Sequence, residues 1–140
     1  MFSLEYFLEC LPKIASRLNV TLELTFIATF FALLIGIFVA MVSLYKVKIL
    51  YPIVHVYVSF MRGTPVVAQL YFFYFGMAVY STIIRDMTPL IAVSIVMSLN
   101  VGAFMSESIR AAILSVDEGQ REAAAAFGLT NAQTFWHVIV

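Results

Sequence analysis

The chain has 140 residues, 63% hydrophobic and only 11% charged, with a mean hydropathy of +1.00, whereas soluble domains are about half apolar and a quarter charged. Eight basic and eight acidic residues cancel, which leaves no basic surface for nucleic acid and no bulk field to attract an acidic substrate. One cysteine, Cys10, excludes an internal disulfide and a thiolate metal cluster, and without clustered His or Cys or a glycine-rich loop the chain offers no zinc site and no phosphate cradle. What remains is a helical membrane protein with no metal and no cofactor. At about 20 residues per span there is room for about three spans.

Residues 1–18 mix Phe2, Leu4, Phe7, Leu8, Leu11 and Ile14 with Glu5, Glu9, Lys13 and Arg17, an amphipathic pattern interrupted by Pro12. A secretory signal would place basic residues first and a small-residue cleavage site after its apolar core; neither is present, so an interfacial segment is expected. Residues 19–45 are almost wholly apolar, with Glu23 as their one charge, and form the first membrane helix. Lys46 and Lys48 end it, and Pro52 prevents a smooth continuation.

From Ile49 to Ile84 the sequence is again mostly apolar, and as one helix it would measure about 54 Å, nearly twice the hydrocarbon thickness. It must break, and the break is legible at Arg62-Gly63-Thr64-Pro65: glycine relaxes the backbone, threonine caps, and proline suits a first helical position. Residues 46–64 are therefore an interfacial segment with a short helix over 52–61, and residues 65–84 the second span. Arg85 and Asp86 mark a polar turn, and Thr88-Pro89 repeats the cap and proline at the start of the third span, 89–110. Asn100, Gly102, Ser106 and Glu107 interrupt that span, and such residues face other helices or a watery path and not lipid.

Residues 115–137 form the largest region built to meet water or another protein. Ala123 to Ala126 have the best helix propensity, Ser115 followed by Glu118 fits a capping box, and Gly128 stands where a C-terminal cap belongs. Asp117, Glu118, Arg121 and Glu122 gather on one side of this helix, and Val116, Ala123, Ala124 and Phe127 recur on the other. Thr130 or Asn131 then caps a second helix through Phe135, Trp136 and Val138. Taken by itself, the pattern describes an amphipathic loop lying along the membrane surface. Residues 138–140 begin a further apolar segment. If the first span descends from outside to inside, Lys46, Lys48, Arg62, Arg110 and Arg121 fall inside against Lys13, Arg17 and Arg85 outside, a modest excess that supports an outside N-terminus and a cytoplasmic alanine-rich loop.

The run Glu122-Ala123-Ala124, three further residues and Gly128, then nine residues leading to Val138, Ile139 and Val140, resembles the EAA loop of the permease subunits of bacterial ABC importers. Thr21-Leu22-Glu23-Leu24-Thr25 resembles the opening of the first span in the polar amino acid branch of that family. Arg62-Gly63-Thr64-Pro65 with Gln69-Leu70 and Phe75-Gly76 resembles the branch's second-span motif. Ser98-Leu99-Asn100, Gly102-Ala103-Phe104, Glu107 and Arg110 resemble its third-span pattern, and Gly119-Gln120 precedes the loop motif as it does there. Ala111 departs from a common glycine, Ser106 and Ser108 from more apolar residues, and Arg17 falls near a usual glycine.

The resemblance implies an all-α, multi-pass fold of the type I ABC importer permease, with the first three spans and the coupling loop present and two more spans expected after it. It also implies a function: a permease subunit that carries a polar amino acid of the His, Glu, Gln, Arg or cystine class across the bacterial cytoplasmic membrane. It is not itself an enzyme. Its implied partners are a cytoplasmic ABC ATPase dimer, a second permease subunit, identical or homologous, an external amino acid-binding protein and the lipid bilayer. Gly119, Glu122, Ala123, Ala124 and Gly128 are the implied ATPase-coupling residues, with a charged contact from Glu122, close approach over the two alanines and a sharp turn at Gly128.

Other residues carry two readings each. Glu107 either pairs with Arg110 three positions on or lies on the substrate path. Asn100 either bonds helix to helix or lines the amino acid site. Arg62 is either an inside anchor or a structural part of the break it forms with Gly63, Thr64 and Pro65. Two rival functions are an oligomeric secondary transporter or channel that needs no ATPase, and a truncated membrane scaffold that transports nothing.

Overall fold

The computed structural model describes residues 4–139, so Met1 to Ser3 of the N-terminal segment and Val140 of the final apolar stretch lie outside the described residues. The described chain is all-helical. The first helix, α1 (Leu4–Tyr45), runs for 42 residues, about 63 Å, so the division expected near residue 18 is not a break in the backbone. Pro12 sits inside α1 without ending it. Its missing N–H forfeits one bond to the carbonyl four residues back, while the hydrogen-bond ladder continues on both sides.

After a turn at Lys46 to Ile49 comes α2 (Leu50–Gly63), longer at both ends than the 52–61 expected, with Pro52 accommodated in its first turn, where a missing N–H costs nothing. Thr64 and Pro65 are extended, at φ −120°, ψ 142° and φ −61°, ψ 133°, and they separate α2 from α3 (Val66–Tyr71). The expected span over 65–84 is not one helix. α3 passes into a π-turn (Phe72–Gly76) and a 3-10 turn (Met77–Val79), the chain turns at Tyr80 and Ser81, and a single helical turn, α4 (Thr82–Arg85), follows. Among the described residues, two helices are long and apolar enough to cross a membrane, within Tyr6–Tyr45 and Pro89–Leu114; the apolar stretch Val66–Val79 is shorter.

The centre of the fold is α5 (Pro89–Leu114), which begins as the sequence predicts with Thr88 as N-cap, accepting from the Ile91 amide, and Pro89 in the first turn. It continues four residues past the expected end at 110. Packing against α1 dominates one side of α5, and α2 and α3 cover the other. That two-sided cover explains why Ala92, Ser94, Val96, Ser98 and Asn100 are all buried, although they do not share one helix face.

Small residues let α1 and α5 approach closely. Ala28, Ala32, Gly36 and Ala40 recur every four residues along α1 and are buried; Ser94, Ser98, Gly102 and Ser106 do the same along α5. A Cβ added at Gly102 would stand 2.9 Å from Ile35 Cγ2, and one at Gly36 would stand 3.0 Å from Met105 Cβ. Two four-residue ridges thus interlock at backbone range, where dispersion can hold helices together without help from the hydrophobic effect. The buried serine hydroxyls spend their donors within α5, on Leu90 O for Ser94, Ser94 O for Ser98 and Ala103 O for Ser106. The large side chains of α1, among them Phe26, Phe30, Leu34 and Phe38, point outward as a lipid-facing surface would require.

Candidate functional site

The sequence marks the break at Arg62-Gly63-Thr64-Pro65 and the polar residues of α5 separately; the structure joins them. Asn100 Nδ2 donates to Met61 O at 3.0 Å and to Gln69 Oε1 at 3.1 Å. Gln69 Nε2 lies within hydrogen-bonding distance of Met61 O at 3.0 Å, Thr64 O at 3.1 Å and Thr64 Oγ1 at 2.6 Å, while Thr64 Oγ1 donates to Phe60 O at 2.8 Å. Breaking a helix strands its last carbonyls, and two buried amides satisfy them here, with Gln69 8% and Asn100 9% exposed. Tyr57 Oη adds a 2.6 Å bond to Leu99 O, which pins α2 to the same stretch of α5.

This geometry alters several expected roles. Thr64 does not cap α3: its hydroxyl is engaged with Phe60 O and Gln69, and Pro65, not Thr64, occupies the N-cap position. Gly63 has an ordinary backbone angle and open space where a Cβ would go, so the break does not depend on glycine. Asn100 is a helix-to-helix tie. Gln69 was visible in the sequence only as a letter of a motif, but an amide within an apolar stretch is itself a signal that a polar partner must exist nearby.

Two turns toward the end of α5 from Asn100, Glu107 Oε2 accepts from Arg110 Nη2 at 3.3 Å and faces Arg62 Nη1 at 3.8 Å. The expected pair with Arg110 is therefore present, and a second cation from α2 joins it. Arg62 also places its guanidinium carbon 5.6 Å from the centroid of the Phe104 ring. All three charged side chains are between about a third and a half exposed, so solvent screens the pairing and its weight lies in position more than in stability.

The loop residues stand apart from this assembly, beyond the end of α5. Ser115 closes α5, donating its hydroxyl to Ala112 O at 2.8 Å, and does not start the next helix. The N-cap of α6 (Glu118–Ala126) is Asp117, whose Oδ1 accepts from the Gly119 amide at 2.7 Å. The expected Ser115–Glu118 capping box is therefore replaced by an aspartate cap two residues later. A Cβ on Gly119 would lie 2.9 Å from that same oxygen, so the cap and the glycine belong together.

Gly128 takes φ +78°, Leu129 N bonds to Ala124 O at 3.1 Å and Gly128 N to Ala125 O at 2.9 Å, which is the Schellman arrangement for a helix stop. The next start is a reciprocal capping box: Thr130 Oγ1 accepts from the Gln133 amide at 3.3 Å and Gln133 Oε1 accepts from the Thr130 amide at 2.9 Å. It leads into α7 (Asn131–Thr134) and a π-turn (Phe135–Ile139).

Arg121 folds α6 back against the membrane helix, donating from Nη2 to Ile113 O at 2.9 Å, with its Nε buried. A cation on the last carbonyls of α5 is favoured by the helix dipole. Ala124 is buried, while Glu122, Ala123 and Gly128 are exposed and Phe127 is 85% exposed. Four of the five loop residues singled out from the sequence, counting Gly119, thus lie on the surface, and Ala124 is spent on internal packing.

Comparison with known proteins sets this geometry in context. A family model described as the inner membrane component of binding-protein-dependent transport systems matches residues 32–140. PatM of Vibrio harveyi, a probable amino-acid ABC transporter permease protein, is 33% identical over 139 residues, 99% of this chain and 62% of its own length. TcyB of Bacillus subtilis, an L-cystine transport system permease protein, is 35% identical over 129 residues, 92% of this chain and 54% of its own. A crystal structure of an amino acid ABC transporter with histidines superimposes with a TM-score of 0.86 at 31% identity, over 100% of this chain and 64% of that one. The chain spans about three fifths of the length of the relatives it matches.

Proposed function

Because the chain belongs to the family of inner membrane components of binding-protein-dependent transport systems, we propose that it serves as permease in an ATP-driven importer of a polar amino acid. The observation that carries the reading is the mounting of α6. Arg121 ties it to the end of α5 and Ala124 is buried, while Glu122, Ala123 and Phe127 stay exposed. A helix of nine residues has too few turns to hold itself in water, so one tied through Arg121 to the end of a membrane helix transmits force as a lever. The exposed small face around Ala123 admits close approach by another protein, and Glu122 offers it a carboxylate.

A separate ABC ATPase dimer closing on that face would move α5, and α5 in turn carries Asn100 and Glu107 and holds the α2 to α3 break through Gln69 and Arg62. In this reading the amino acid reaches the permease from an external binding protein, a second permease subunit completes the path, and the alanine-rich loop lies in the cytoplasm. Relatives that handle amino acids, cystine among them, support the substrate class.

Co-expression of the full-length permease with candidate ABC ATPase subunits, followed by co-purification and ATP-dependent amino acid uptake into vesicles, tests the reading. Glu122→Lys and Gly128→Asp are each expected to reduce both. Undiminished association and uptake in both variants would remove the coupling role from the loop, and uptake that proceeds without nucleotide would favour a secondary transporter.

A further inference from the structure

At the end of the bundle nearest α6, the C-terminus of α1, one face of α2 and the last turns of α5 enclose a cavity of about 370 Å³. We propose that it binds the phosphate of an anionic phospholipid headgroup. Its charged lining is Lys46 from the end of α1, Arg62 from α2, and Glu107 and Arg110 from α5. Three cations meet one carboxylate, and Glu107 is already shared between Arg62 and Arg110. Lys46 makes no ion pair among the described residues, so the cavity keeps uncompensated positive charge. Hydroxyls of Ser43 and Ser59 and the imidazole of His55 complete a polar wall suited to phosphate oxygens.

The backbone at Lys46 gives independent support. Lys46 has φ +47° and is the one non-glycine residue with positive φ among those described. It occupies the C-terminal cap of α1, with Val47 N bonding to Val42 O at 3.4 Å. Glycine is the residue that fits such a position without strain, whereas the Cβ of any L residue crowds the following carbonyl oxygen there. A lysine held at this point is therefore worse for the helix stop than glycine, and what it contributes instead is an ammonium in the cavity wall. Strain of this kind collects where a side chain is needed for binding.

Position selects the source of the phosphate. The cavity lies where two membrane-length helices end, beside Tyr45, Lys48 and Tyr51, residue types that settle at the level of lipid headgroups. A basic pocket between membrane helices at that depth meets diester phosphates at high local concentration, whereas free anions arrive only from bulk water.

The test compares the chain in detergent micelles supplemented with phosphatidylglycerol, with phosphatidylcholine, or with inorganic phosphate, reading thermal unfolding and, by native mass spectrometry, retained lipid. Phosphatidylglycerol is expected to raise the melting temperature above the phosphatidylcholine value, and inorganic phosphate to leave it unchanged. Lys46→Gly is expected to fold at least as well as the parent, because it relieves the strained φ, yet to hold phosphatidylglycerol about fivefold more weakly, the usual effect of losing one basic residue near a lipid phosphate. Lys48→Gln, which removes the same charge two residues away and outside the cavity, is expected to keep the binding. Equal shifts by the two lipids, an equal shift by inorganic phosphate, or equal losses in Lys46→Gly and Lys48→Gln would each overturn the proposal.

Discussion

Gly128 and Gly63 look alike in the sequence, each placed at the end of a helix, but the backbone asks different things of them. At φ +78° an L side chain on Gly128 is strained whatever space surrounds it, whereas Gly63 sits at ordinary angles with nothing within 4 Å of a would-be Cβ. Gly128→Ala is accordingly expected to destabilise the loop by about 1 kcal/mol or more, and Gly63→Ala to be neutral or to stabilise α2 by up to about 1 kcal/mol. Differential scanning of the purified chain in detergent checks both, and a larger loss in Gly63→Ala would contradict the geometry. Gly128 was legible because a glycine just past an alanine run is a recognisable stop. The shift of the cap from Ser115 to Asp117 was not, since either oxygen suits the role and only the observed end of α5 at Leu114 decides between them.

Between elements, the decisive contact is the interlocking of α1 with α5. Its four-residue ridges of Ala and Gly on one helix and Ser and Gly on the other need close backbone approach, and Gly102 is the tightest point, 2.9 Å from Ile35 Cγ2. Gly102→Val is expected to cost about 1–3 kcal/mol by overpacking, visible as a lower melting temperature and a smaller folded yield in detergent; retention of the parental values would show that the two helices separate freely.

The broken second span is the element the sequence represented least well. Hydropathy alone reads residues 65–84 as continuous, but Tyr71, Phe72, Phe73, Tyr74 and Phe75 crowd successive positions, with Tyr71 and Phe75 stacked at 5.4 Å. These rings fall on and beside the π-turn Phe72–Gly76, and Gly76 leaves room for Phe72, whose Cδ2 would stand 3.3 Å from an added Cβ. Periodicity carries no record of that crowding.

For the molecule as a whole, the lever reading requires α6 to face the cytoplasm. In a Cys10→Ser background, Ala126→Cys is expected to react with a membrane-impermeant maleimide in inverted vesicles and not in intact spheroplasts. Labelling from the outer side would leave no route by which a cytoplasmic ATPase could reach Glu122 or Ala123. The Arg62, Glu107 and Arg110 cluster at the same end of the bundle would then also face outward, because α1 and α5 both terminate there.

Composition and hydropathy determined by themselves that the chain is helical and resides in a membrane, because nearly uncharged apolar runs of that length belong in lipid, and the alanine run closed by Gly128 determined the helix, turn and helix of the loop. Only tertiary structure decided that Asn100 and Gln69 satisfy the carbonyls stranded at the α2 break, that Glu107 is shared by Arg62 and Arg110, and that Lys46 lines a cavity with them. The physical reason is range: caps and hydrophobic runs act within a few residues along the chain, whereas buried amides and charges find partners 31, 39 or more positions away, which packing alone brings together.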